Sequence, residues 1–153
     1  MSVIIRRMLK EDIPQAAEIE KIAFTRPWTK SVFNAVLLLP YAAYYVAVDT
    51  DSLAGPGRIV GVCGVKKIFE EGEISNVAVH PDYRRRGICR QMLERLISEA
   101  RRDGVQAFTL EVRAGNDAAV HLYESLGFST EGIRPRFYDK PVEDALIMWL
   151  REK

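Results

Sequence analysis

The chain is poor in the residues that staple, ligate or anchor a protein. Its two cysteines, Cys63 and Cys89, supply neither a disulfide framework nor the paired spacing of a zinc site. Its two histidines, His80 and His121, read as a turn residue and a helix-surface residue, neither with a visible partner. No metal is expected. No apolar run approaches the ~20 residues that cross a bilayer, and the N-terminus lacks the basic-then-apolar layout of a signal peptide. The 22 basic and 21 acidic side chains leave a net charge of +1, so no global field recruits nucleic acid or an acidic membrane. There is no internal repeat, low-complexity tract or linker. The expectation is a cytoplasmic protein with neither nucleic acid nor membrane as partner.

What is present fits one domain, 1–153. The chain is long enough to bury a proper core, and 48% apolar with 28% charged residues is a globular balance that argues against disorder.

The stretch from Glu73 to Asp103 organises the rest. Ile74, Val77, Ala78 and Val79 form a short β-branched run, and His80-Pro81 ends it because Pro81 offers no donor to a ladder. From Ile88 the period becomes helical. Ile88, Met92, Leu93, Leu96 and Ala100 share one face, and Gly104 closes the helix. Between strand and helix lies Arg84-Arg85-Arg86-Gly87-Ile88-Cys89. Free amides at a helix start, a glycine and three guanidinium groups describe an anion site, with a diphosphate its natural occupant; the competing reading is a solvated basic turn.

Around this unit the periodicity predicts further elements. Strands are expected at 3–7, 41–50, 58–69, 73–79, 106–113, 128–132 and 142–151. Helices are expected after Asp12, after Thr29 and after Asn116 or Asp117, each of which can cap. The segment from Asp51 to Gly57 reads as a hairpin loop. The order β-α-α-β-β-β-α-β-α-β-β implies an α/β fold, a mixed and mostly antiparallel sheet with helices on both faces.

Five side chains are candidates for chemistry. Glu111 lies opposite Phe108, Leu110 and Val112 on its strand, as a general base in a cleft or as half of an ion pair with an arginine such as Arg113. Tyr123 is a core aromatic, or a hydroxyl that reaches a cleft as acid or donor. Asn116 is a helix cap or a ligand contact. Trp28 is a core anchor or a substrate contact. Cys89 opens a helix that would stabilise a thiolate, but the simpler reading is that the turn needs a small side chain.

The turn Arg84-x-x-Gly87-x-Cys89 resembles the Gln/Arg-x-x-Gly-x-Gly/Ala signature of the GNAT acyltransferases, with Cys89 as the departure. The element order is similar to that fold throughout. The block from Leu110 to Phe128 resembles the bacterial ribosomal-protein-alanine N-acetyltransferases of the RimI type. Arg26-Pro27-Trp28, Asn76-Val77-Ala78-Val79, Ile133-Arg134 and Phe137-Tyr138 extend that match.

The resemblance implies a GNAT fold and transfer of an acetyl group from acetyl-CoA to a protein N-terminus, of the kind carried by a ribosomal protein beginning with alanine. It implies that Val77, Ala78 and Val79 contact the acetyl and pantetheine end. Arg85, Arg86, Gly87, Ile88, Cys89 and Arg90 would hold the diphosphate, and Asn116 would touch pantetheine. Glu111 would accept a proton, Tyr123 donate one, and Tyr138 lie on a loop over the incoming peptide beside Phe137. The alternatives are another amine acceptor, whether a small molecule or a protein lysine, and a non-catalytic acyl-CoA-binding module.

Overall fold

The structure, a computed structural model, describes residues 2–51 and 57–151. Most of the expected hairpin loop falls on 52–56, outside the described residues. The strands are β1 (Val3–Arg7), β2 (Ala42–Asp49), β3 (Arg58–Ile68), β4 (Glu71–Val79), β5 (Ala107–Arg113), β6 (Ser129–Tyr138) and β7 (Glu143–Arg151). The helices are α1 (Ile13–Ala23), α2 (Lys30–Leu37), α3 (Ile88–Arg102) and α4 (Asp117–Ser125). One sheet contains all seven strands in the order β1-β2-β3-β4-β5-β7-β6, and every neighbouring pair is antiparallel except β4 with β5.

The helices sit where their apolar stripes require. Ile88, Met92, Leu93, Leu96 and Ala100 of α3 are buried with Phe108, Leu110 and Val112 of β5 in one core. Ile13, Ala16, Ala17 and Ile19 of α1 and Phe33 and Val36 of α2 form the core on the other face. Caps fix the helix ends. The Thr29 hydroxyl accepts from the Val32 amide at 3.3 Å, and Asn116 Oδ1 accepts from the Ala119 amide at 3.3 Å. Gly104, at φ +97°, closes α3 as Val105 donates back to the Ala100 carbonyl at 3.0 Å. Asp12 departs from expectation. It stands at the cap position of α1, but its carboxylate is turned to the Arg6 guanidinium and the Leu9 amide.

Two strand boundaries also differ. β4 starts at Glu71 rather than Glu73, so the hairpin from β3 is tighter than its Glu-Glu-Gly sequence implies. β6 runs to Tyr138, well past Gly132. Its Gly-Ile-Arg-Pro-Arg stretch reads as a loop, yet β6 is the sheet's edge, and Pro135 lies in the irregularity between Arg134 and Tyr138 where it has no partner in β7. Phe137 and Tyr138 therefore end a strand rather than sit in a loop.

Gly64 shows how closely β3 packs on its neighbour. A Cβ there would lie 2.2 Å from the Tyr44 ring, which is itself buried. Gly64→Ala is expected to destabilise the fold by roughly 1–3 kcal/mol through overpacking, measured as a lower urea midpoint with unchanged slope.

Candidate active site

The sheet opens at its centre. β4 and β5 pair only where Glu71, Gly72 and Glu73 meet Ala107, Phe108 and Thr109. Beyond these residues Ile74 to Val79 have no partner in β5, and Leu110 to Arg113 pair only with β7. The divergence follows from a bulge. On the β3 side Val62 faces Ala78 and Gly64 faces Ser75, so β4 carries one residue more than its partner across Asn76-Val77. Asn76 takes φ +60°, a conformation that asparagine tolerates better than most residues.

The bulge is held by a chain of hydrogen bonds. Tyr44 donates its hydroxyl to Asn76 Oδ1 at 3.1 Å and lies 3.3 Å from the Ser75 hydroxyl. Asn76 Nδ2 donates to Glu20 Oε1 at 2.9 Å. Burial pushes the Tyr44 hydroxyl up to about 12, so it stays a donor.

At the end of β4 the chain enters the arginine turn. Arg85 (φ +64°) and Gly87 (φ +75°) are left-handed, and Gly87 immediately precedes α3. Among the described residues the amides of Gly87, Ile88, Cys89 and Arg90 donate no backbone hydrogen bond, as expected at the first turn of a helix. A Cβ built on Gly87 meets nothing within 4 Å, so the space above the turn is open. This cradle fits a phosphate group. The side chains around it are partly committed. Arg84 donates to the Val79 carbonyl, Arg86 lies 5.2 Å from the Tyr83 ring centroid, and Arg90 is tied to Ser125 on α4. Burial pushes the Cys89 thiol up to about 11, which favours the small-side-chain reading over a thiolate. His80 is better partnered than its sequence suggests: Nδ1 accepts from the Asp82 amide, and Nε2 lies 3.2 Å from Arg58.

Tyr123 is buried beside Phe128, their centroids 6.0 Å apart. Its hydroxyl has no hydrogen-bond partner among the described residues, yet is not a sealed, unsatisfied atom. Burial, with Cys89, Cys63 and Tyr138 nearby, pushes it far above the usual tyrosine range.

Glu111 projects from the face of β5 opposite the α3 core, and its side chain is 33% exposed. Helices α1 and α2 cover the sheet's other half, so a carboxylate here does not sit in the sandwich interior that its central strand suggests. Its ion pair is with Arg134 of β6, Nε to Oε2 at 3.1 Å, and not with Arg113. Arg113 is drawn to the β6–β7 connection instead. It donates to the Asp139 and Pro141 carbonyls at 2.9 and 3.0 Å and to Glu143 Oε1 at 3.2 Å.

A cleft of about 680 Å³ lies over the bulge on the α1–α2 side of the sheet, walled by Glu20, Trp28, Asn76, Arg113, Phe137 and Tyr138. Trp28 takes the core-anchor role and also borders the cleft. It packs on Phe33 (5.4 Å) and Tyr44 (5.7 Å) while forming part of this wall. Arg26 bridges to Asp139, tying the α1–α2 connection to the β6–β7 connection. Tyr138 links the cleft to both candidate acid–base groups. Burial first and then the Glu111 charge raise its pKa, and it in turn raises that of Tyr123.

Sequence reasoning missed Glu20, Asn76 and the anchoring by Arg113. Glu20 had a signal, a carboxylate spaced four residues from Ala16 on the apolar face of α1.

The acetyltransferase (GNAT) family model matches residues 13–128. The chain belongs to the acetyltransferase (GNAT) family. Among GNAT relatives, the ribosomal protein bS18-alanine N-acetyltransferase of Escherichia coli K12 is 38% identical over 141 residues, 91% of this chain and 90% of that protein. The N-alpha-acetyltransferase RimI of Mycobacterium tuberculosis is 35% identical over 152 residues, 95% of this chain and 90% of that protein. The crystal structure of the Escherichia coli ribosomal-protein-S18-alanine N-acetyltransferase is similar with TM-score 0.85 and 34% identity, covering 98% of this chain and 94% of that one. A chain of the NatC complex bound to Gag peptide and CoA has TM-score 0.85 at 25% identity, with 100% of both chains covered. The open seven-stranded sheet is thus the GNAT fold.

Arg113 positions one wall of the cleft without lying among the groups proposed for chemistry. Arg113→Ala is expected to raise KM for an acceptor peptide roughly tenfold, with KM for acetyl-CoA unchanged, because the β6–β7 connection loses its side-chain tether. Steady-state kinetics with each substrate varied in turn would check it.

Proposed function

We propose that this single-domain GNAT protein, acting in the cytoplasm, transfers the acetyl group of acetyl-CoA to the α-amine of a protein N-terminus, with an N-terminal alanine of a small-subunit ribosomal protein as its natural acceptor. The observation that carries the reading is the two-sided opening at the β4 bulge. A phosphate-binding turn leads into the gap between β4 and β5, and a separate cleft of about 680 Å³ meets the same bulge from the other side. The name of the Escherichia coli bS18-alanine relative supports the choice of acceptor.

Acetyl-CoA supplies an activated thioester. The amides of Gly87 to Arg90, with Arg85 and Arg86 alongside, would hold its diphosphate, and Val77, Ala78 and Val79 would lie along its pantetheine arm with Asn116. The kink at Asn76-Val77 interrupts the β3 register, and an amide donor near Val77 left free of that ladder would stabilise a carbonyl oxygen as it gains negative charge.

The attacking nitrogen must be neutral. An α-amine has a reference pKa near ~8 and a lysine near ~10.4, so at pH 7 roughly one α-amine in ten is neutral against fewer than one lysine in a thousand. A modest base suffices. Glu111, directly or through water, takes that proton. Tyr123 would meet the leaving sulfur. Its ordinary pKa of about 10 against about 8.5 for a thiol already makes full proton transfer uphill by roughly 2 kcal/mol, and its burial adds to that. Tyr123 therefore donates a hydrogen bond to the departing thiolate.

The deciding experiment incubates the protein with acetyl-CoA and an alanine-initiated basic peptide, beside a panel of polyamines and other small amines, and locates the added mass by fragmentation. Acetyl on the peptide α-amine is expected. Acetyl on a lysine side chain or only on a small amine overturns the acceptor assignment, and binding without transfer overturns catalysis.

A further inference from the structure

Glu20 is a buried charge that the proposed chemistry leaves unused. It lies on α1, is 2% exposed, and forms part of the wall of the acceptor cleft. Its Oε1 is occupied, accepting from Asn76 Nδ2 at 2.9 Å and the Trp28 amide at 3.4 Å. Its Oε2 is the one buried side-chain nitrogen or oxygen among the described residues that has no hydrogen-bond partner. No cation among the described residues answers it. Among the described residues Glu20 makes no ion pair, and the Lys66 ammonium is held 5.6 Å from the Trp28 ring centroid.

Burial raises the pKa of this carboxyl, and the hydrogen bonds from Trp28 and Asn76 only partly offset it. Either protonation state leaves a valence unmet: the anion lacks a donor, and the acid's proton lacks an acceptor. Buried polar atoms are nearly always satisfied, so a lone exception on the wall of a ligand cleft points to a partner the ligand brings. A partner that carries N–H donors and positive charge would satisfy the anion and, by its charge, draw the carboxyl back toward that form. Oε1 must stay bound to Asn76 meanwhile, because that contact holds the bulge.

We infer that Glu20 Oε2 is the docking point for the α-ammonium of the acceptor, so that the cleft selects a chain with a free, cationic N-terminus. This rests on the acceptor reading above and adds the residue that recognises it. The amine arrives charged against Glu20, and only then loses its proton.

The test is a binding cycle by calorimetry with CoA present, which allows no transfer. One ligand is the alanine-initiated peptide; the other is the same peptide with a propionyl group in place of the alanyl residue, which removes the amine and keeps every lysine. Wild type is expected to bind the amine form about ten- to a hundredfold more tightly. In Glu20→Gln that ratio falls to near one, while acetyl-CoA affinity and the melting temperature hold, because glutamine still accepts from Asn76 and Trp28. A wild-type ratio near one overturns the inference without any variant. So does a Glu20→Gln protein that keeps the wild-type ratio. If wild type acetylates the peptide in either case, only the Glu20 assignment falls; if it neither binds nor acetylates any α-amine peptide, the acceptor reading falls with it.

Discussion

Tyr123→Phe is expected to lower kcat by roughly 10²–10⁴-fold while leaving acetyl-CoA affinity within about twofold and the fold intact. The size follows from what the substitution removes and what it leaves. The ring stays packed in the α3–β5 core beside Phe128. The lost hydroxyl bonds to nothing else among the described residues, so no protein group is stranded by its removal. A purely structural tyrosine in that setting predicts the opposite pattern, equal turnover and equal or greater stability. The pH dependence gives a second signature. Burial raises the Tyr123 pKa, so the protonated donor persists as pH rises, and its loss begins only above the usual tyrosine range. Wild-type kcat should therefore show no alkaline fall below pH ~10 from this group. Release of free thiol followed in single turnovers would check both. Wild-type rates in the Phe variant would remove Tyr123 from the reaction.

How much of this was legible in the chain depends on the range of the interaction concerned. Gly87 and the arginines before it are a local signal: a left-handed residue at a helix start needs only its neighbours, and the turn is found where the sequence puts it. The alternation of β5 is local too, and Phe108, Leu110 and Val112 are buried as their spacing predicts. The Arg134 partner of Glu111 was out of reach because it comes from β6, across β7, in a stretch whose proline and arginines suggest a loop. Pairing Glu111 with Arg113 assumed that two residues on one face of one strand share a neighbourhood. They do, since both charges act on Tyr138, but Arg113 is claimed by carbonyls of the β6–β7 connection and makes no ion pair with Glu111. The bulge at Asn76 was readable only as a requirement of the chemistry. Its register shift depends on β3, and its side chain is held by Tyr44 and Glu20 from two other elements. The turn proposed to hold phosphate thus rests on short-range sequence, and the cleft proposed for the acceptor on contacts between distant segments.

Glu111→Gln is the second large expected effect, a fall of roughly 10²–10³-fold in kcat/KM for an α-amine peptide at pH 7 with acetyl-CoA binding unchanged. The carboxylate is well placed to work this way. Arg134 Nε lies 3.1 Å from Oε2, Oε1 accepts no hydrogen bond among the described residues and is left for the amine or a bridging water, and Tyr138 puts Glu111 within electrostatic reach of the cleft. Both partners of the pair are partly exposed, at 57% and 33%, so Arg134 orients the carboxylate more than it stabilises the fold, and Arg134→Ala should cost only about tenfold or less. The distinguishing measurement is the deficit of Glu111→Gln as a function of pH. At pH 7 roughly nine α-amines in ten carry the proton that the carboxylate must remove, and at pH 9 roughly one in ten does. The deficit should therefore shrink as pH rises through the α-amine pKa, while a variant damaged only in packing would show the same deficit throughout. With a lysine acceptor the shrinkage would move about two pH units higher, following the acceptor's own pKa. A deficit independent of both pH and acceptor would assign Glu111 to the Arg134 ion pair alone and leave the proton to be taken by water.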